Sequence, residues 1–145
     1  MTRRLPKFRK LRESEARALL RRNHLGRIAF TFKDRVDVEP ISYVMSGDWL
    51  YARTSPGTKL LKLKHHPWVA FEVDEVRGPF DWKSVGVHGT AYWLTANGGE
   101  DPEYAKAVDL LRKLDPRALT HADLVPHRTV LFRVHVDTVE GRAAE

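Results

Sequence analysis

The chain has 145 residues, 42% of them apolar and 10% aromatic, with no cysteine, a formal net charge of +6 and a pI near 9.8. Absence of cysteine excludes disulfides, thiolate metal sites and cysteine nucleophiles, and fits an intracellular, cytoplasmic protein. No run approaches the ~18 apolar residues a membrane helix needs, so no membrane partner is expected.

The charge is placed at one end. Residues 1–12 carry Arg3, Arg4, Lys7, Arg9, Lys10 and Arg12 and no acid, which leaves 19 basic against 19 acidic residues in the rest. The expected division is a flexible basic arm over 1–12, one folded domain over 13–140, and a frayed tail over 141–145. Such an arm touches phosphates non-specifically, whereas a dedicated nucleic-acid domain carries its excess on a folded face; nucleic acid is not expected as the main partner.

In chain order, Ser14 is an N-cap candidate, Ala16, Leu19 and Leu20 follow at helical spacing, and Gly26 reads as the stop of a short amphipathic helix. Ile28, Phe30 and Phe32 alternate in a strand that Asp34-Arg35 turns back into Val36-Asp37-Val38-Glu39. Pro40 cannot donate to a ladder, so it marks an edge, a bulge or a backbone left free. Ile41 and Tyr43 continue that strand to a tight turn at Ser46-Gly47-Asp48. In the next strand, Trp49 to Thr54, Leu50 and Ala52 face one side while Trp49, Tyr51 and Arg53 face the other, so both faces are expected to be partly covered.

Ser55-Pro56-Gly57-Thr58-Lys59 opens a helix with Leu60, Leu61 and Leu63 on its apolar side, ending before Pro67. The turn has the composition of a phosphate site. Thr54 and Ser55 offer hydroxyls, Arg53 and Lys59 offer charge, and the first helical turn offers unpaired N–H groups. The same composition serves as plain connection. Trp68 to Asp74 is a strand, Glu75 to Trp82 an irregular loop, and Ser84 to Leu94 a strand in which Gly86 and Gly89 signal coiling or close approach. Trp82, in a polar loop, is placed to cover a flat ligand. Asn97-Gly98-Gly99 is a turn. Asp101 and Pro102 start a helix to Leu114 with Tyr104, Ala107, Val108, Leu111 and Leu114 as its buried stripe. Residues 115–127 read as loop or broken helix, and Thr129 to Val136 as a last strand. The sum is a mostly β (α+β) chain, a small barrel of about six antiparallel strands with three peripheral helices.

The seven histidines show no metal-binding spacing, and no nucleophile elbow, Walker motif or dinucleotide glycine fingerprint is present. Metal, hydrolase and nucleotide-triphosphatase chemistry therefore have no anchor in the sequence.

Five segments in order carry a family resemblance: Leu25-Gly26-Arg27-Ile28-Ala29; Glu39-Pro40-Ile41-Ser42-Tyr43-Val44; Ser55-Pro56-Gly57-Thr58-Lys59-Leu60; His66-Pro67-Trp68 through Asp74; and Trp82-Lys83-Ser84-Val85 through Ala91. In these the chain resembles the pyridoxamine 5′-phosphate oxidase-like, flavin-binding split-barrel family, particularly its small subgroup similar to nitroimidazole-resistance proteins. The resemblance implies a split β-barrel homodimer that holds FMN at the subunit interface, with a deazaflavin or haem as alternatives. It implies that Pro40, Ile41, Ser42 and Tyr43 lie along the flavin ring with their backbone at its polar edge. It places Arg53, Thr54, Ser55, Lys59 and Leu60 at the phosphate end, and Trp82 and Ser84 on the facing side of the cleft, from the same or the other subunit. The activity implied is FMN-dependent oxidoreduction of a small substrate, with a non-catalytic flavin- or haem-binding module as the alternative. No acid or base residue is assigned. Where nitroimidazole-resistance relatives usually carry a histidine this chain has Arg53, and the substrate-binding segments of the longer oxidases are absent, so neither activity is carried over.

Overall fold

A computed structural model describes residues 4–57, 60, 67–96 and 101–145. Seven strands and two helices follow one another as β1 (Phe8–Lys10), α1 (Glu13–Arg22), β2 (Leu25–Phe32), β3 (Arg35–Ser46), β4 (Trp49–Thr54), β5 (Trp68–Gly78), β6 (Asp81–Leu94), α2 (Pro102–Leu114) and β7 (Val130–Ala144). The expected third helix, over 60–66, and the Asn97-Gly98-Gly99 turn lie outside the described residues apart from Leu60.

All seven strands form one antiparallel sheet in the order β1-β7-β4-β3-β2-β5-β6, and β6 also pairs with β7, so the sheet returns on itself as a barrel-like layer. The first hairpin turns at Lys33-Asp34, one residue earlier than expected. Both residues have positive φ, 49° and 61°, as a two-residue turn matched to strand twist requires.

Alternation puts Ile28, Phe30, Tyr43, Leu50, Phe71 and Phe132 into the interior, where α1 closes the core with Leu19 and Leu20. α1 begins at Glu13, not after Ser14: Glu15 accepts the Arg12 backbone N–H at 3.2 Å, and acids in the first turn with Arg21 and Arg22 in the last complement the helix dipole. It stops at Asn23, whose side-chain amide donates to the Leu19 carbonyl at 2.9 Å. Gly26 is not the stop but a β2 residue packed so closely that a Cβ would stand 2.9 Å from the Glu72 carbonyl oxygen and run into the Phe71 ring. β4 is covered on both faces: Leu50 and Ala52 point into the main core, and Tyr51 joins Ala107, Leu111 and Leu131 beneath α2.

Three expectations are corrected. Residues 75–82 form a hairpin, with Glu75–Gly78 in β5 and Asp81-Trp82 in β6 and a register shift between Val76 and Gly78. Residues 8–10 of the arm are a strand, and 141–144 of the tail are its partner: Phe8, Arg9 and Lys10 lie opposite Ala144, Ala143 and Arg142. The tail does not continue the alternation of the strand before it because β7 carries a bulge at Asp137. Gly89 lies opposite Val136 and His88 opposite Thr138, so Asp137 is the extra residue. One extra residue exchanges the faces of everything after it. Phe132, Val134 and Val136 are buried before the bulge; Gly141 and Ala143 are buried after it.

Candidate functional site

The β3–β4 ladder runs from Ser46↔Trp49 to Tyr43↔Ala52 and stops there. Beyond it the two strands separate: among the described strands Pro40–Ser42 keeps only β2 as a neighbour, while Arg53 and Thr54 remain paired with Leu131 and Val130 of β7. This fits Pro40, which has no N–H to offer a second neighbour. The structure thus brings Pro40–Ser42 and Arg53–Ser55 to the two sides of one splayed strand pair.

Side-chain directions divide these residues. Ile41 and Tyr43 point inward; the Tyr43 hydroxyl donates to the Leu20 carbonyl at 2.7 Å, its ring meets Phe71 edge-on at 4.9 Å, and burial pushes the phenol pKa up. They can meet a ligand only through backbone. Pro40 and Ser42 are exposed on the outer face. Ser42 borders an open depression of about 460 Å³ lined also by Asn23, His24, Leu25, Arg27 and Asp74. Thr54 is buried and Ser55 half-buried. Leu60 is fully buried in the main core, and Lys59 lies outside the described residues.

Arg53 is held by a residue the sequence reading did not single out. Its Nη1 and Nη2 donate to the two carboxylate oxygens of Asp123 at 2.5 and 2.9 Å, and Nη1 also donates to the Arg128 carbonyl at 3.3 Å. The pair is nearly closed to solvent, with the side chains 10% and 3% exposed. Asp123 also accepts the backbone N–H groups of Leu119 and Val125, at 2.9 and 3.0 Å, and the Arg53 guanidinium beside it holds its carboxyl far below the usual carboxylate range. The loop after α2 is therefore pinned to β4. A guanidinium has five N–H groups. Asp123 and Arg128 occupy Nη1 and the inner side of Nη2, and the Nε–Nη2 side has no acceptor among the described residues. No local motif marks Asp123; only an unpaired arginine on a nearly buried strand signals that such a partner must exist.

Trp82 and Ser84 lie elsewhere. Ser84 stands opposite Asp74 on β5 and Arg142 on β7. Its hydroxyl donates to Glu72 at 2.9 Å, and Glu72 and Asp74 face Arg27 at 3.5 and 3.8 Å. Burial is the first cause that raises the Glu72 pKa, with Asp74 adding to it. Through β2 and β5, Ser84 is three strands from Pro40, roughly 14 Å across the strands at the usual spacing, and two residues out of register with it along β6. Both sit on the same convex outer face. Trp82 is one step farther along β6, its indole N–H donating to the Pro79 carbonyl at 3.2 Å. One copy of the chain does not bring Trp82 or Ser84 across from Pro40 and Arg53.

The outer face also carries Val36, Val38 and Trp68, exposed by 73%, 59% and 68%. Among the described residues no group of three or more His, Asp or Glu side chains is arranged to hold a metal, and no helix is long and apolar enough to cross a membrane.

Known proteins share this architecture. A FAD-binding protein from Mesorhizobium loti is 31% identical, with 97% of this chain and 98% of that one covered and a TM-score of 0.75. A FAD-binding protein from Mycobacterium smegmatis is 26% identical over 94% of this chain and 98% of that one, with a TM-score of 0.68. A candidate 5-nitroimidazole antibiotic resistance protein from Bacteroides thetaiotaomicron, 17% identical over 97% of this chain and 90% of that one, shares the fold with a TM-score of 0.69. The sequence model described as pyridoxamine 5′-phosphate oxidase matches residues 12–143. With its segments in family order, its barrel-like antiparallel sheet and a match over nearly its whole length, the chain belongs to the pyridoxamine 5′-phosphate oxidase family.

Proposed function

We propose that the protein binds a flavin, FMN in the first instance, at the splay between β3 and β4, and that it works in the cytoplasm as an oxidoreductase on a small-molecule substrate. The observation that carries this is the opening beyond Tyr43↔Ala52, where an unpaired backbone edge at Pro40–Ser42 faces a strand end holding Arg53, Thr54 and Ser55. A flavin ring offers polar atoms to such an edge. Its phosphate suits Ser55, Lys59 and the remaining side of the Arg53 guanidinium, with Asp123 fixing that group in place. Once bound, the flavin supplies the hydride and electron transfer, and the chain binds and orients it.

The cleft is completed by a second copy. Trp82 and Ser84 lie on the same convex face as Pro40, so only another subunit can present them opposite it. The exposed Val36, Val38 and Trp68 give that subunit an apolar surface to cover. The FAD-binding relatives support a flavin and make FAD the form to test beside FMN.

Titration of the purified protein with FMN, followed by flavin absorbance and fluorescence, is expected to show saturable binding at about two flavins per dimer. Arg53→Ala combined with Lys59→Ala is expected to weaken it about tenfold or more; unchanged affinity would remove the phosphate assignment. No binding of FMN, FAD or a deazaflavin would overturn the flavin reading. Reduction by a nicotinamide donor, with reoxidation by an added acceptor, tests the oxidoreductase part separately.

A further inference from the structure

The whole formal charge of +6 comes from residues 1–12, and the fold fixes where most of that charge goes. β1 is the outermost strand of the sheet, paired with β7, and two backbone hydrogen bonds of 2.9 Å between Lys7 and Glu145 carry the pairing one residue further. The cations from Lys7 to Lys10 therefore stand on a fixed strand at one end of the molecule. Arg9 and Arg12 are used within the chain: Arg9 bridges Glu15 and Glu145, and Arg12 shares Glu15. Arg4, Lys7 and Lys10 are exposed and make no ion pair among the described residues.

The same end carries large apolar side chains that contribute to neither core cluster. Leu5, just before β1, is 71% exposed, and Phe80, in the turn between β5 and β6, is 59% exposed. Far apart in sequence, they meet at the rim of one open hollow of about 420 Å³, lined also by Arg4, Pro6, Asp81 and Glu145. Glu145 is committed to Arg9. Asp81 shares the adjoining hollow with Arg77 and Lys83, which offset it. Phe8 leans on Trp82 and is left with it to the flavin cleft, so Leu5 and Phe80 are the two apolar points of this surface.

We propose that this end docks on an anionic membrane surface, with Leu5 and Phe80 entering the interface and Arg4, Lys7 and Lys10 meeting the lipid phosphates. An apolar pair ringed by cations matches the layering of a bilayer surface, where acyl chains lie just beneath charged headgroups. Each cation near such a surface adds about fivefold to affinity, and the attraction fades within a Debye length of about 8 Å. A nucleic-acid strand would use the cations but leave Leu5 idle, since leucine offers no ring for base stacking, and outside the arm basic and acidic residues balance. Surface docking needs no segment that crosses the bilayer. The proposal does not rest on the flavin reading.

The test is co-sedimentation of the full-length protein with vesicles of phosphatidylcholine and with vesicles of phosphatidylcholine and phosphatidylserine in equal parts, at low and at physiological salt. A single-stranded oligonucleotide is titrated in parallel. The variants are Arg4→Glu/Lys7→Glu/Lys10→Glu and Leu5→Ser/Phe80→Ser, with near-UV circular dichroism and FMN titration as checks that each is folded and otherwise unaltered. Binding to the phosphatidylserine vesicles and not to phosphatidylcholine is expected. The charge-reversed variant is expected to lose it by about a hundredfold or more, and the serine variant to weaken it about tenfold with the salt dependence kept. Absence of sedimentation with phosphatidylserine vesicles would overturn the proposal, as would equal binding to both vesicle types. Binding untouched in Leu5→Ser/Phe80→Ser would also overturn it, by reducing the contact to charge alone. Tighter binding of the oligonucleotide than of the vesicles would assign this end to nucleic acid instead.

Discussion

The two ends of β7 are built from the same materials and put them to opposite uses. At its start, Arg53 beside Leu131 is nearly closed to solvent and saturated on one side by Asp123, beneath a loop that Asp123 also ties down through two backbone N–H groups. At its end, Arg142 lies exposed beside Lys10 with no carboxylate partner among the described residues, and Phe8 next to it is exposed. A buried guanidinium must be paired because desolvation of a lone charge is costly, whereas water satisfies an exposed one. The first end therefore holds its shape by a nearly buried ion pair, and the second by strand pairing with exposed bridges from Arg9 to Glu15 and Glu145. Charge at the first end is structural before it is functional. At the second it is solvated.

Between them lies the bulge at Asp137, and the largest effect is expected there. Gly89→Ala would press a methyl group into the His135 carbonyl oxygen and 2.6 Å from a Val134 methyl, where the register of the two halves changes. A loss of about 3 kcal/mol in chemical denaturation is expected. A stable variant would show that the two halves are not locked together through this contact.

Next in size is Asp123→Ala, which leaves Arg53 nearly buried and unpaired. A drop in Tm of roughly 5–10 °C is expected, with faster amide exchange across residues 119–125. A much smaller drop would place Arg53 in solvent and erase the contrast between the ends.

An acid titration separates paired from unpaired carboxylates. Glu75, bound by Arg22 at 2.8 and 2.6 Å and by Asn23 at 2.7 Å, has its pKa lowered to about 2. It binds fewer protons folded than unfolded, so its contribution is full above the unfolded value of about 4.3 and disappears as pH falls through the folded value. Glu75→Gln should flatten the loss of stability between these limits and lower stability at neutral pH. Glu72 runs the other way: its pKa is raised, chiefly by burial, so its ionised form is the disfavoured one, and Glu72→Gln should gain stability at neutral pH and converge with the parent in acid.

The smallest effect belongs to the open end. Lys10→Ala/Arg142→Ala should change stability by less than about 0.5 kcal/mol. A larger loss would show that Lys10 and Arg142 support this end beyond its strand pairing and the Arg9 bridges.

Much of the site was legible in the residues because it depends on local pattern. Pro40 announced an edge, and the edge is where β3 leaves β4. The polar turn after Thr54 drew attention to Arg53, although the guanidinium's main partner lies 70 residues away. Ile41 and Tyr43 are site candidates through their strand, and only the pleat shows that their side chains belong to the core. Gly26 read as a helix stop because glycine serves both turns and close packing, and the choice rests on a Phe71 ring far away in sequence.

By itself the sequence determined the antiparallel strands, the amphipathic helices α1 and α2 with the Asp101 cap, and a composition suited to a barrel, since periodicity and turn residues are local properties. The tertiary structure decided where β7 changes face, that the basic arm and the tail are strand partners, that Asp123 owns one side of Arg53, and that Trp82 lies beyond reach of Pro40 within one chain. Each of these depends on register or on a contact between distant segments, and a bulge of one residue is enough to reassign every side chain that follows it.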